Sequence, residues 1–323
     1  MSECIKSRNK KGRKYVVFAF NNIIQGNMNR VSIIIPIFNA EKFLDRLFSC
    51  ISKFRFQEGD EVLLVDNGST DNSLEICRKY ALKNGNYHVL SYSKVADSYA
   101  ARNYAVHNAK GDILAFTDSD CMPIPSWLDE VRKVEKGTVM AGKIELEIIE
   151  DNLWEHVDKT IHLGQVETAV KANSVPTANM AVNKEDFLKV GYFEERFSGG
   201  DFEWSARACS SGMIIRYNQA AFIYHPSRKS FEEIAIREKR TAYGRGKSYK
   251  NKHKSKYKLW IYYFLKIFKV DTNIRLSIKL LRDGVKFKDI IYFNVKFFQI
   301  RLMQLKASIA GYDQIDARSL NIK

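Results

Sequence analysis

The feature that most limits what this chain can fold into is an alternation of short apolar runs and polar loops, with a helical stripe between the first two runs. Val31-Ser32-Ile33-Ile34-Ile35-Pro36-Ile37-Phe38-Asn39 is a β-branched run closed by Pro and Asn, which reads as a buried strand opening into a loop. Between Ala40 and Phe54 the apolar residues fall at Phe43, Leu44, Leu47, Phe48 and Ile51, one face of a helix. A second run, Glu61-Val62-Leu63-Leu64-Val65, stops at Asp66-Asn67-Gly68-Ser69-Thr70-Asp71-Asn72-Ser73. The order β-α-β predicts an α/β domain whose central sheet is mostly parallel and flanked by helices, with ligands at the carboxyl ends of its strands.

A third run, Ile113-Leu114-Ala115-Phe116-Thr117, ends in Asp118-Ser119-Asp120. In extended backbone alternate side chains share a face, so the spacing points Asp118 and Asp120 the same way and turns Ser119 aside. A hard cation such as Mg²⁺ or Mn²⁺ takes one or two carboxylates and fills its other positions with phosphate oxygens and water. The same tripeptide also suits a surface turn. Its place at a strand end, in register with Asp66 at another, favours chemistry on a phosphate-linked substrate.

The set Ser32-Ile33-Ile34-Ile35-Pro36-Ile37-Phe38-Asn39, Val65-Asp66-Asn67-Gly68-Ser69-Thr70-Asp71, Ala100-Ala101-Arg102-Asn103 and Phe116-Thr117-Asp118-Ser119-Asp120 resembles the family 2 glycosyltransferases, from about Val31 to about His225. That resemblance implies a GT-A fold and an inverting transfer of a sugar from a nucleotide diphosphate donor, of which UDP-sugars are the commonest. It makes Pro36, Phe38 and Asn39 the lip of the nucleotide pocket. Asp66, with Asn67 beside it, meets the nucleobase; Arg102 lies near the donor phosphates; Asp118 and Ser119 face the nucleotide. The metal, Mn²⁺ or Mg²⁺, falls to Asp118 and Asp120, with His225 in Phe222-Ile223-Tyr224-His225-Pro226 as third ligand. On residues alone, Asp66 also fits a helix cap and Arg102 a surface ion pair.

Pro176-Thr177-Ala178-Asn179-Met180-Ala181-Val182 is similar to the segment that contacts the donor sugar, through Asn179. Ser198-Gly199-Gly200-Asp201-Phe202-Glu203-Trp204 resembles the family's Gly-Gly-Glu-Asp-x-Glu segment and departs from it at Gly200, where many relatives carry an acid. The resemblance makes Gly199, Gly200, Glu203 and Trp204 sugar and acceptor contacts and Asp201 the catalytic base. Inversion requires such a base, which takes the acceptor hydroxyl proton as that oxygen attacks the anomeric carbon. Without the family, Asp201 reads as a first-turn helix acid.

Charge is unevenly placed. Residues 228–323 hold 24 Lys and Arg against 8 Asp and Glu, while residues 1–227 are close to neutral, so the net charge of +15 belongs to the tail. Within it, Leu259-Trp260-Ile261-Tyr262-Tyr263-Phe264-Leu265-Lys266-Ile267-Phe268 and Ile290-Ile291-Tyr292-Phe293-Asn294-Val295-Lys296-Phe297-Phe298 mix aromatic and basic residues. That mixture suits the interface of an anionic membrane better than a nucleic-acid groove; helices packed on the catalytic domain with solvated lysines are the other reading. No run reaches the ~18 apolar residues of a bilayer span. Arg237-Glu238-Lys239-Arg240-Thr241-Ala242-Tyr243-Gly244-Arg245-Gly246-Lys247 is similar to segments that in relatives lie over the donor pyrophosphate, which implies Arg240 and Arg245 as phosphate contacts.

The expected organisation is a leader or added strand over 1–29, a catalytic domain over 30–227 and a basic helical region over 228–323. Five cysteines without C-x-x-C spacing argue for a reducing compartment and against zinc. The expected setting is the cytoplasmic side of a cell membrane, with a glycan or lipid-linked acceptor in surface polysaccharide synthesis. A non-catalytic nucleotide- or glycan-binding module on the same fold is the alternative.

Overall fold

The computed structural model describes residues 4–8, 14–18, 29–92, 97–162, 173–196 and 198–320. Near the N-terminus, β1 (Cys4–Arg8) and β2 (Lys14–Phe18) pair with each other as a separate two-stranded sheet. They add nothing to the central sheet, and the rest of the leader up to residue 28 lies outside the described residues.

The parallel half of the central sheet is built from β3 (Val31–Ile37), α1 (Glu41–Ile51), β4 (Glu61–Asp66), α2 (Ser73–Lys83), β5 (Tyr87–Ser91), α3 (Ser98–Asn108) and β6 (Ile113–Thr117). Alternation along β3 supplies both faces. Val31, Ile33, Ile35 and Ile37 join α1 and α2 in one buried cluster, while Ile34 faces α3 in another. These side chains are fully buried, each worth about 1.5–3 kcal/mol by removal from water.

The second half is mixed. β7 (Met122–Pro123), α4 (Trp127–Val131), β8 (Thr138–Glu147), α5 (Leu153–His162), β9 (Asn179–Asn183), α6 (Lys184–Val190), α7 (Gly200–Ser210) and β10 (Ile214–Pro226) follow in sequence. Strand order is β5-β4-β3-β6-β9-β8-β10-β7. β9 runs antiparallel to β6 and β8, β10 is parallel to β8, and β7 is antiparallel to β10.

Four helices make up the C-terminal region: α8 (Phe231–Asn251), α9 (Lys256–Ile267), α10 (Val270–Arg282) and α11 (Phe287–Tyr312). They are joined to the sheet domain through α5. Val157 packs with Ile234, Leu280, Ile290, Phe293 and Ile300. Beside it the buried Asp158 carboxylate accepts the Arg228 backbone N–H at 3.0 Å and meets the Arg228 guanidinium at 3.2 Å. Packing on the domain and an exposed apolar surface both hold for these helices. Ile274, Ile278 and Leu281 on α10, and Phe287, Ile291, Val295, Phe298 and Leu302 on α11, repeat at helical spacing and face solvent. No helix among the described residues is long and apolar enough to cross a membrane.

Candidate active site

The loop after β3 and the loop after β4 are laced together. Asn39 adopts a left-handed backbone (φ 48°), which Asn tolerates. Its N–H donates to Ser69 Oγ at 3.1 Å, and its Oδ1 accepts the Thr70 N–H at 2.8 Å. Phe38 projects from this lip, 54% exposed, directly after Pro36 and Ile37 of β3. Asp66, at the end of β4, is buried and accepts the N–H groups of Gly68 and Ser69. It therefore closes a turn; α2 begins only at Ser73 and Asp66 does not cap it. The neighbouring Asn67 is buried and its Oδ1 has no hydrogen-bond partner.

After β6 the chain turns at once, closed by Cys121 N–H to Asp118 O at 3.1 Å. This corrects the expectation of two carboxylates side by side on extended backbone with Ser119 turned aside. The Asp118 carboxylate is ion-paired with Arg102 of α3, which is buried and keeps an Nε without a partner. Asp120 instead lies 3.5 Å from His225 Nε2. The pairing of β7 with β10, Met122 opposite Tyr224, brings the two together across more than a hundred residues of sequence. His225 Nδ1 is 2.8 Å from Pro226 O, a contact that fixes the ring.

Asp120, Cys121 and His225 offer ligand atoms within 4.8 Å of one another. A carboxylate and an imidazole suit Mn²⁺. Cys121 does not extend that set for a hard ion: it is fully buried, and burial pushes its thiol well above the ordinary cysteine range, so it stays protonated.

Arg102 leads to the other half of the site. Its guanidinium lies 5.6 Å from the Tyr99 ring, one turn earlier on α3, and Tyr99 Oη donates to Asp201 Oδ1 at 3.0 Å. Asp201 also accepts the Phe202 N–H at 2.9 Å. Burial raises the Asp201 pKa, with Asp118 adding to the rise and the hydrogen bonds and Arg102 opposing it. Gly200 has a packing cause: a Cβ there would sit 2.9 Å from the Tyr99 ring. The acid that many relatives carry at this position has no room while Tyr99 holds Asp201.

Two expected sugar contacts are corrected. Asn179 is fully buried: its Oδ1 accepts from Trp127 Nε1 at 2.9 Å, and its Nδ2 donates to Lys143 O and Ala221 O. It presses against Gly142, where a Cβ would meet it at 2.3 Å. Every polar atom of its amide is spent tying α4, β8 and β10 to β9. Trp204 is also fully buried, donating to Gly191 O at 2.7 Å and stacked on Phe187 at 5.0 Å. Glu203 is clasped by Arg207 at 2.7 Å.

Gly199, Asp201 and Glu203 line one wall of a cleft of about 970 Å³ between α7 and α8; Arg240 and Arg245 line the facing wall. The cleft lining includes none of Pro36, Phe38, Asn39, Asp66, Asn67, Arg102, Asp118, Ser119 or Asp120. The one sequence signal for Tyr99 is its position three residues before Arg102, which puts both on the same face of a helix.

The glycosyl transferase family 2 model matches residues 32–197, and the model for glycosyl transferase family group 2 matches residues 157–310. The chain belongs to glycosyl transferase family 2. Glycosyltransferase AglE of Haloferax volcanii is 30% identical over 220 residues, 66% of this chain and 72% of that protein. A chondroitin synthase of Pasteurella multocida is 26% identical over 64% of this chain but only 26% of its own length. Among solved structures, a mannosyltransferase of Pyrobaculum calidifontis in complex with GDP-Man and Mn²⁺ superposes with a TM-score of 0.62 at 14% identity, covering 89% of this chain and 88% of that one. GalNAc-T7 with UDP, GalNAc and Mn²⁺ gives 0.50 at 18% identity, covering 62% and 44%. This family 2 member is therefore a glycosyltransferase with the GT-A fold and added C-terminal helices.

Proposed function

We propose that this glycosyltransferase is an inverting, metal-dependent enzyme that takes its sugar from a nucleoside diphosphate donor, UDP first among them. The acceptor is a glycan or a lipid-linked carrier in surface polysaccharide synthesis. The observation that carries the reading is the chain of contacts from Asp201 through Tyr99 and Arg102 to Asp118, with Asp120 and His225 alongside. A basic carboxylate and a charge-neutralising centre are what inversion with a diphosphate leaving group needs.

In this scheme Asp201 accepts the proton of the acceptor hydroxyl as that oxygen bonds to the anomeric carbon, and the bond from that carbon to the diphosphate breaks with its electrons leaving on phosphate. The raised pKa makes Asp201 a better base than an exposed Asp. Tyr99 orients it. Pro36, Phe38, Asn39, Asp66 and Asn67 receive the base and ribose. Arg102 steadies Asp118 and lies near the phosphates. Asp120 and His225 would hold Mn²⁺. The ion would supply a Lewis acid for the departing diphosphate.

Residues 30–227 form the catalytic unit, and 228–323 an accessory region that lies on the cytoplasmic face of an anionic membrane through the exposed stripes of α10 and α11. The exposed apolar repeats and the positive charge support that placement. Calorimetric titration with UDP, GDP and dTDP, each with Mn²⁺ and with chelator, tests the reading. One nucleotide is expected to bind in a metal-dependent way, and Asp120→Ala to abolish that dependence. Binding of none of the three sinks the donor assignment; equal binding in chelator sinks the metal.

A further inference from the structure

The cleft between α7 and α8 carries more positive charge than an acceptor site for a neutral sugar requires. Asp201 sits on one wall, and Arg196, Arg240, Arg245, Lys252 and Lys254 are distributed around it. Two other arginines of the lining are engaged, Arg207 by Glu203 and Arg237 by Glu238. Arg240, Arg245, Lys252 and Lys254 meet no carboxylate among the described residues. Arg245 is braced by other means: it donates to Tyr262 Oη at 2.9 Å and lies over the Tyr262 and Tyr263 rings at 5.5 and 5.9 Å.

Arg196 is the second, independent sign. It is 9% exposed, and although Glu194 takes its Nη2, its buried Nε has no partner. A buried guanidinium N–H without an acceptor is unfavourable, and an anionic ligand in the cleft would supply the acceptor. Phe202, Tyr249 and Tyr262 line the same space and supply aromatic surface against which a sugar ring or an isoprenoid chain can lie.

We infer that this cleft is the acceptor site and that it takes an acceptor carrying a phosphate group, with the reactive hydroxyl at Asp201 and the phosphate held by Arg196, Arg240 and Arg245. The inference rests on the transferase reading above and names the substrate class of the same site. Guanidinium groups meet phosphate oxygens bidentately, and Arg240 and Arg245 line the same cleft as Asp201, whose lining includes none of the nucleotide loops. A phosphorylated sugar and a polyprenyl phosphate present the same group, and either satisfies the charge.

The test is titration of the full chain with glucose 1-phosphate against methyl glucoside, and with a short-chain polyprenyl monophosphate in detergent micelles against the matching polyprenol. Each is run without nucleotide and again with whichever nucleoside diphosphate binds. The phosphate-bearing member of a pair is expected to bind about tenfold or more tightly than its neutral counterpart. Arg240→Gln/Arg245→Gln is expected to erase that preference while nucleotide affinity stays unchanged. Arg240→Gln alone, an exposed position, guards against misfolding of the double variant. Preference for the polyprenyl phosphate marks a lipid-borne acceptor; equal preference in both pairs marks a phosphorylated glycan. Equal binding of neutral and phosphorylated probes overturns the inference, as does an unaffected variant or one that loses nucleotide instead. Failure of all three nucleotides to bind would bring down the donor assignment and leave the phosphate comparison readable.

Discussion

The sheet domain and the C-terminal helices use apolar residues in opposite ways. Up to Tyr224, eight large apolar side chains among the described residues are exposed; between Tyr257 and Leu302, in a far shorter stretch, there are sixteen. β3, β4 and β6 hide nearly everything apolar and release polar groups only at their carboxyl ends. α10 and α11 hide one stripe against α5 and α8 and leave another in solvent. The difference teaches that one chain can satisfy a core and still carry a second apolar surface, which a folding argument alone does not demand.

The sharpest way to break the comparison is at the seam. Phe293 is fully buried beside Val157 and Ile234, so Phe293→Ala is expected to cost about 3–5 kcal/mol in urea unfolding. A loss below about 1 kcal/mol would mean that the helices stand apart from the sheet domain. Next comes the chemistry: Asp201→Asn is expected to lower turnover by ~10²-fold or more with nucleotide binding kept. Unchanged turnover removes Asp201 as the base.

Acid dependence then separates two carboxylates by sign. Burial pushes the Asp158 carboxyl up, but the His162 hydrogen bond and the Arg228 charge outweigh it and hold the group at about 2, against 3.8 unfolded. A depressed carboxylate stabilises above its unfolded value and loses that contribution as pH falls toward 2. Roughly 2 kcal/mol is at stake, and Asp158→Asn should flatten the acid limb of the stability curve between those values. Asp201 runs the other way. Its raised pKa predicts that activity fades on the acid side at a higher pH than an exposed Asp would give, and Tyr99→Phe, by removing a hydrogen bond that lowers it, should move that limb further up. A limb that stays in place discards the Tyr99 contact.

The smallest expected effect on stability marks the outer surface. Ile291→Ser with Val295→Ser, both exposed on α11, should change unfolding by no more than about 0.5 kcal/mol each and yet release the protein from anionic vesicles in a flotation assay. Retained flotation would leave this stripe without a membrane role. Point substitutions serve better here than truncation, because removing α11 would uncover the buried faces of α8 and α9.

Much of the fold was legible because period and strand-end chemistry are local. Ile33, Ile35 and Ile37 alternate with Ile34, and the stripe from Leu44 to Ile51 is helical, so β-α-β needed no tertiary knowledge. What escaped depends on partners far away in sequence. Asn179 looks like a ligand contact until Trp127, Lys143 and Ala221 surround it. Asp118 and Asp120 look like a matched pair until a turn sends one to Arg102 and the other to His225. Gly200 looked like a defect in a motif, and only the Tyr99 ring explains it.

That glycine has a consequence for what can be discriminated. An acid beside Asp201 would place a second fixed negative charge next to the base, and a negatively charged guest would meet added repulsion there. With glycine in that position and a phenol as the companion of the base, that repulsion is absent. An omitted side chain thereby works as a filter.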